Sequence, residues 1–255
     1  MKNFINALQF LTIVTVSKRN TIEEGDLAKS MVYFPAIGFL IGCFLVYIDK
    51  IFSLIALPHT VANLFLVAFS VLVTRALHID GLADTLDGIM GGTTKSERLT
   101  IMKDSRIGTA GVVGILFILL MKYLCFNNVF NSEKVAALLV APMLSRWSQT
   151  IMVFRGNYGR EDGMAKAFVG HLRTSGFVYA SLLAVGFTAF VIIREDAQTL
   201  FLIISVIIGV LSLTLLGRWY LVRKLGGVTG DTIGAMSELN EVLVLLLFVI
   251  FSGVR

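Results

Sequence analysis

Charge is what this chain has least of. Only 15% of its 255 residues are Asp, Glu, Lys or Arg, where a soluble globular chain carries roughly 25%. It lacks the polar side chains to clothe a water-facing surface, which excludes an ordinary soluble domain. With hydrophobic residues at 56%, a disordered chain is excluded as well. Cysteine is nearly absent. Cys43 and Cys125 both sit in apolar runs, which excludes a disulfide-stapled secreted module or a zinc site and leaves both as packing residues. There is no tandem repeat, low-complexity tract or Pro/Gly-rich linker to divide the chain, so residues 1–255 read as a single domain.

What is present in quantity is apolar sequence. Mean hydropathy is +0.83, and the class that remains is an integral membrane protein. Crossing a hydrocarbon core of roughly 30 Å takes about 20 mostly apolar residues in a helix. The runs that qualify, two of them short, are Met31–Ile48, Thr60–Thr74, Ile107–Phe126, Val135–Phe154, Thr174–Ile193, Ala197–Gly217 and Val242–Val254. The expected fold is therefore all-α, a polytopic bundle of about seven transmembrane helices. Phe4–Val16 is too short to span and suits the interface or part of a further helix. The N-terminus has an early lysine but no small-residue cleavage site, and reads as retained.

Seven spans sort the loops by charge. Residues 1–30, 75–106, 155–173 and 218–241 fall on one side with 16 of the 22 Lys and Arg; Lys50, Lys122, Lys134, Arg194 and Arg255 fall on the other, and Arg146 lies inside a span. Cytoplasmic loops carry the basic excess. The long loops 75–106, 155–173 and 218–241 are thus expected in the cytoplasm, on a multi-pass protein of the cell (inner) membrane. The net charge of +5 is read as loop charge facing anionic lipid, and not as nucleic-acid binding.

The scarce carboxylates are clustered. LHIDGLADTLDG places Asp80, Asp84 and Asp87 at i, i+4 and i+7, within about 60° on a helix. Three like charges in register repel, and a hard divalent cation, Mg²⁺ or Mn²⁺, is the simplest compensation. One such aspartate would read as a solvated helix start; three beside Gly81 and Gly88 favour metal or phosphate chemistry. IMKDSRIGTAG adds Lys103 and Arg106 as phosphate partners and Asp104 as a further metal ligand, although a juxtamembrane charge cluster is the plainer reading of that stretch alone.

The third cluster is KLGGVTGDTIGAMSELNE. Gly227 and Gly230 permit close backbone approach to a ligand, and Asp231 is placed to cap the next helix. Asp231, Glu238 and Glu241 share about 80° of one face, a candidate second metal face. No P-loop spacing is present. Arg146, inside an apolar run, needs a carboxylate or a substrate phosphate as partner. His78 is a candidate general base or a group acting indirectly, against the commoner structural role of a lone histidine. Together these groups suit metal-assisted transfer of a phosphoryl-linked group by direct displacement.

At these residues the chain resembles the cobalamin synthase family, adenosylcobinamide-GDP ribazoletransferases. The resemblance rests on FPAIGFLIG (Phe34–Gly42), LHIDGLADTLDG (Leu77–Gly88), ERLTIMKDSRIGTAGV (Glu97–Val112), LSRW (Leu144–Trp147) and GGVTGDTIGAMSELNEVLVLL (Gly226–Leu246), in order and nearly end to end. It implies transfer from adenosylcobinamide-GDP to α-ribazole or α-ribazole 5′-phosphate, with loss of GMP and a requirement for Mg²⁺. Carried over by position, Asp80, Asp84 and Asp87 would meet metal and diphosphate; Asp84 and Asp87, with His78 from its own position before Asp80, are the candidate catalytic residues. Lys103 and Arg106 would hold phosphate oxygens, and Asp231, Glu238 and Glu241 a second metal or the acceptor. Arg75 departs from the small residue the family pattern implies before LHIDG, which puts the shape of that turn in question. Two alternatives stay open here. A CDP-alcohol phosphotransferase shares the start Asp84-Thr-Leu-Asp87-Gly88 but continues with Ala-Arg where this chain has Gly91 and Gly92; a divalent-cation transporter would line a path with intramembrane acids. A homo-oligomer is also left open.

Overall fold

The computed structural model describes residues 2–16, 24–192 and 197–252. Lys18, Arg19, Arg194 and Arg255 from the loop-charge count, and the expected span ends Ile193 and Val254, lie outside them. The described elements are helical: α1 (Lys2–Leu11), α2 (Glu24–Ser30), α3 (Phe34–Leu54), α4 (His59–Leu72), α5 (Leu77–Gly91), α6 (Lys95–Ile101), α7 (Thr109–Asn128), α8 (Asn131–Val153), α9 (Thr174–Ile192), α10 (Ala197–Leu225) and α11 (Gly230–Ser252). Five helical stretches are long and apolar enough to cross a membrane, the first running through α2 and α3 and the others being α7, α9, α10 and α11. A sixth arises if α4 and α5, bent by 81° across a short break, count as one. The chain is a multi-pass helical membrane protein.

At the centre stands α8, with 19 of its 23 residues buried. It is long enough to cross, about 34 Å at 1.5 Å per residue, but too polar to meet the apolar test. Neighbouring helices replace lipid around it, so its side chains need not be apolar. Small residues let α3 approach: a Cβ on Gly38 would strike the Pro142 carbonyl, and one on Gly42 would come within 2.6 Å of Leu138 O. This is the close helix crossing that a Gly-x-x-x-Gly face permits in membranes. Arg218 of α10 closes the end of α8, donating to the carbonyls of Ile151, Phe154 and Arg155 at 3.1, 2.8 and 3.0 Å. The outward faces stay apolar, as at Phe117 and Leu120 of α7, Phe190 of α9 and Ile208 and Leu216 of α10, all exposed. That is the surface a lipid solvent requires.

Two expectations from the sequence are corrected. Residues 218–241 are not a loop, because α10 continues to Leu225 and α11 begins at Gly230. Glu238 and Glu241, whose charges place the start of an apolar run at Val242, lie inside the helix with cationic partners. Lys122, assigned to the far-side helix end, is instead buried within α7, 1% exposed. The turn questioned at Arg75 is unusual: Arg75 and Ala76 both adopt the left-handed conformation, φ 55° and 56°, which bulky side chains rarely tolerate. That double reversal turns α4 into α5 and aims the acidic helix back along α7 and α11.

Candidate active site

The site is assembled by close backbone contacts. α5 lies against the start of α11, where a Cβ on Gly81 would come within 2.8 Å of Asp231 O, and one on Gly234 within 3.2 Å of His78 Cα. Thr229 and Thr232 begin α11 with reciprocal bonds, each side-chain oxygen accepting from the other's backbone N–H at 2.8 and 3.3 Å. The cap is therefore Thr229, and not Asp231 as expected. Upstream, Gly226 takes φ +76° and the chain pairs with residues 157–159, Gly159 N–H donating to Val228 O and Val228 N–H to Asn157 O, both at 2.9 Å. A Cβ on Gly227 would meet Gly159 N at 2.6 Å. Its close approach serves this chain–chain contact, whereas the sequence suggested room for a ligand at Gly227. Gly230 lines the cavity described below.

That pairing delivers a residue the sequence reading missed. Arg160 Nη2 reaches Asp231 Oδ2 at 2.6 Å. Asp84 feels the charges of Asp80, Asp231 and Asp87, and Arg160 is the cation set against them. Asp231 of α11 thus contacts the guanidinium, and Asp80 and Asp84 of α5, remote in sequence, lie near enough to feel the charge of that pair. Beside them is a cavity of about 190 Å³, lined by Phe34, His78, Asp80, Arg160 and Asp231 among others. On the other side of Arg160 lies an open groove of about 600 Å³ that includes Lys95 and Lys103. No local pattern marks Arg160. It is one of four basic residues in its loop and becomes distinct only through the pairing of 157–159 with 228.

The other expected residues separate from this group. Asp87 holds the start of α7, accepting from Gly108 N–H at 2.7 Å and Gly111 N–H at 2.8 Å, where unpaired N–H groups and the helix dipole favour a carboxylate. Asp104 does not join the other aspartates: it pairs with Arg106 at 2.7 Å on the exposed connection to α7, and hydrogen bonds from the Arg106 guanidinium and backbone hold it down at about 2. Glu238 and Glu241 form no second open acidic face. Lys122 Nζ bridges Glu238 Oε2 at 2.7 Å and Glu241 Oε1 at 2.9 Å, and Arg146 Nη1 meets Glu241 Oε2 at 2.7 Å. Two buried anions are matched by two buried cations, so Arg146 has the carboxylate partner its position demanded. His78 is buried, with Nε2 at 2.9 Å from Gln149 Nε2. Among the described residues no three His, Cys, Asp or Glu side chains lie close enough to enclose one ion.

The α5–α11 contact at Gly81 makes one expectation simple. Gly81→Ala places a methyl on the Asp231 backbone and should destabilise by about 1–3 kcal/mol. It should also cut turnover, because Asp231 and Arg160 move away from Asp80 and Asp84. Thermal melts and assays on one preparation check this, and an alanine variant with unchanged activity would mean that the contact does not set the site.

The sequence model of the family described as cobalamin-5-phosphate synthase matches residues 3–249. Among curated proteins, the chain is 39% identical to the adenosylcobinamide-GDP ribazoletransferase of Geotalea daltonii over 99% of both chains. It is 34% identical to the protein of that name from Clostridioides difficile over 96% of both, and 33% identical to that of Fusobacterium nucleatum over 98% of both. No solved structure matches.

Proposed function

Because the chain belongs to the cobalamin-5-phosphate synthase family, we propose that it closes the nucleotide loop of cobalamin by transfer from adenosylcobinamide-GDP to α-ribazole or α-ribazole 5′-phosphate. An acceptor hydroxyl oxygen bonds to the phosphorus that carries the corrinoid and gives up its proton. The bond from that phosphorus to the GMP oxygen breaks, leaving GMP and adenosylcobalamin or its 5′-phosphate. The observation that supports this reading is the Arg160–Asp231 pair, with Asp80 and Asp84 nearby, set between a partly open cavity and an open basic groove.

Mg²⁺, or Mn²⁺ in its place, fits the donor set: hard carboxylate oxygens, three anions against one guanidinium, and no closed cage of protein ligands. Mg²⁺ characteristically keeps waters and is held by one or two carboxylates plus substrate phosphates. One or two of Asp80, Asp84 and Asp231 would hold it together with substrate phosphate, and when bound it supplies neutralisation of the diphosphate charge. Arg160 orients Asp231, Lys95 and Lys103 offer phosphate partners along the groove, and Asp87 fixes the end of α5 against α7. The transporter alternative is disfavoured because Glu238 and Glu241, the acids at depth, are bound to Lys122 and Arg146.

The test is GMP release from adenosylcobinamide-GDP by purified protein in detergent. Release is expected only with α-ribazole or its phosphate present, is expected to stop with chelator, and should return with excess Mg²⁺. Turnover unaffected by chelator removes the metal from the reading, and no release at all removes the transfer. The basic loops that adjoin the site favour the cytoplasmic side of the inner membrane. A reporter fused after Gly163 should therefore read cytoplasmic, and a signal from the opposite side would invert this orientation.

A further inference from the structure

The cavity beside the aspartates is built differently from the groove. Phe10, Phe34, Phe168 and Tyr158 line it together with His78 and Asp80. Phe10 stacks on Phe34 with ring centroids 5.9 Å apart and meets Phe168 edge-on at 5.8 Å, so rings from α1, α3 and the loop before α9 form one aromatic wall. At about 190 Å³ it falls below the usual range for a whole drug-sized ligand, which excludes a corrinoid and leaves space for one fused ring system.

Its polar end is set from a distance. Arg146 can only donate, and Nη1 donates to Ser145 Oγ at 2.6 Å. The single hydroxyl hydrogen of Ser237 is directed at Ser145, 3.3 Å between the hydroxyl oxygens. With its amide nitrogen on that side, Gln149 donates from Nε2 to Ser237 Oγ at 2.9 Å. The same NH₂ group faces His78 Nε2 at 2.9 Å, so Nε2 accepts and the imidazole proton sits on Nδ1. Nδ1 is buried and has no partner. A buried N–H without an acceptor is costly, and His78 lines the cavity.

We infer that this cavity takes the fused, uncharged aromatic base of the acceptor nucleoside, with His78 Nδ1–H donating to an acceptor atom of that nucleoside. The assignment rests on the proposed transfer reaction. The rings supply stacking surface, and the phosphates of the other substrate are left to the groove with Lys95 and Lys103. Gln149 is then a positioning residue, holding the histidine as a donor. The buried Lys122–Glu238–Glu241–Arg146 group anchors the chain of donors that reaches it.

Benzimidazole is the probe, with binding read by equilibrium dialysis on the purified detergent-solubilised protein. One equivalent should bind, displaced by α-ribazole and not by GMP. Phe168→Leu, which keeps an apolar side chain but loses the ring, should weaken binding about tenfold. It should raise the KM for α-ribazole similarly, by a larger factor than it lowers kcat. Spectra of protein labelled with ¹⁵N-histidine should show one histidine as the Nδ1–H tautomer, and Gln149→Leu should abolish that fixed signal. Absence of benzimidazole binding, displacement by GMP, or an unchanged KM in Phe168→Leu overturns the assignment. Dialysis needs no turnover, so its outcome is separate from that of the transfer assay.

Discussion

Asp84→Asn is expected to lower GMP release by at least about 10²-fold, comparable to the loss of one preorganised electrostatic group at a reacting centre, with Tm unchanged or slightly raised. The sign on stability follows from the surroundings. Asp80, Asp231 and Asp87 repel the Asp84 carboxylate, and Arg160 is the cation that offsets them, so removing this charge relieves repulsion while deleting a candidate metal ligand. Asp87→Asn should behave differently. Its carboxylate accepts from two backbone N–H groups at the start of α7, and an amide has one oxygen to offer. Loss of part of such a cap costs about 1 kcal/mol, so Tm should fall together with activity. The pair separates chemistry from scaffold when assay and melt are run on the same samples. Wild-type turnover in Asp84→Asn removes that residue from the site; a lowered Tm makes its role structural.

Glu241→Gln should have the largest effect on stability. The carboxylate faces Lys122 at 2.9 Å and Arg146 at 2.7 Å, with both cations buried. Neutralising it leaves Glu238 alone against two cations, and an unpaired buried charge costs about 3–5 kcal/mol. Adding Arg146→Met restores balance at one anion and one cation, leaves the Lys122–Glu238 pair at 2.7 Å in place, and should recover most of the loss. The two singles and the double form a cycle whose coupling term isolates the interaction. Denaturation in detergent measures it. A Glu241→Gln protein as stable as wild type, or a double variant with simply additive losses, would show that the four charges do not act as a unit.

Membrane class and family were legible because they rest on features that survive without coordinates. Charge scarcity is a property of composition, and the DGLADTLDG, MKDSRIGT and GGVTGDTIGA motifs are contiguous; the family match over residues 3–249 agrees with them. The helix carrying Asp80, Asp84 and Asp87 was equally legible from their spacing. The extent of α11 was not. A charge in an apolar run reads as its boundary, and only the positions of Lys122 and Arg146 reveal that Glu238 and Glu241 are compensated inside the helix. Gly227 was read as making room for a ligand, because a sequence shows that space is required but not what fills it.

The sequence by itself determined the solvent, the helical class and the residues available for chemistry, since each follows from local composition and periodicity. Which of those residues meet was decided by tertiary structure alone. Arg160 stands beside Asp231 because backbone at 157–159 pairs with Val228, and His78 meets Gln149 because α5 and α8 both pack against α11. Contacts between residues 71 to 150 apart leave no trace in local pattern, because the energy that selects them arises only once the helices pack.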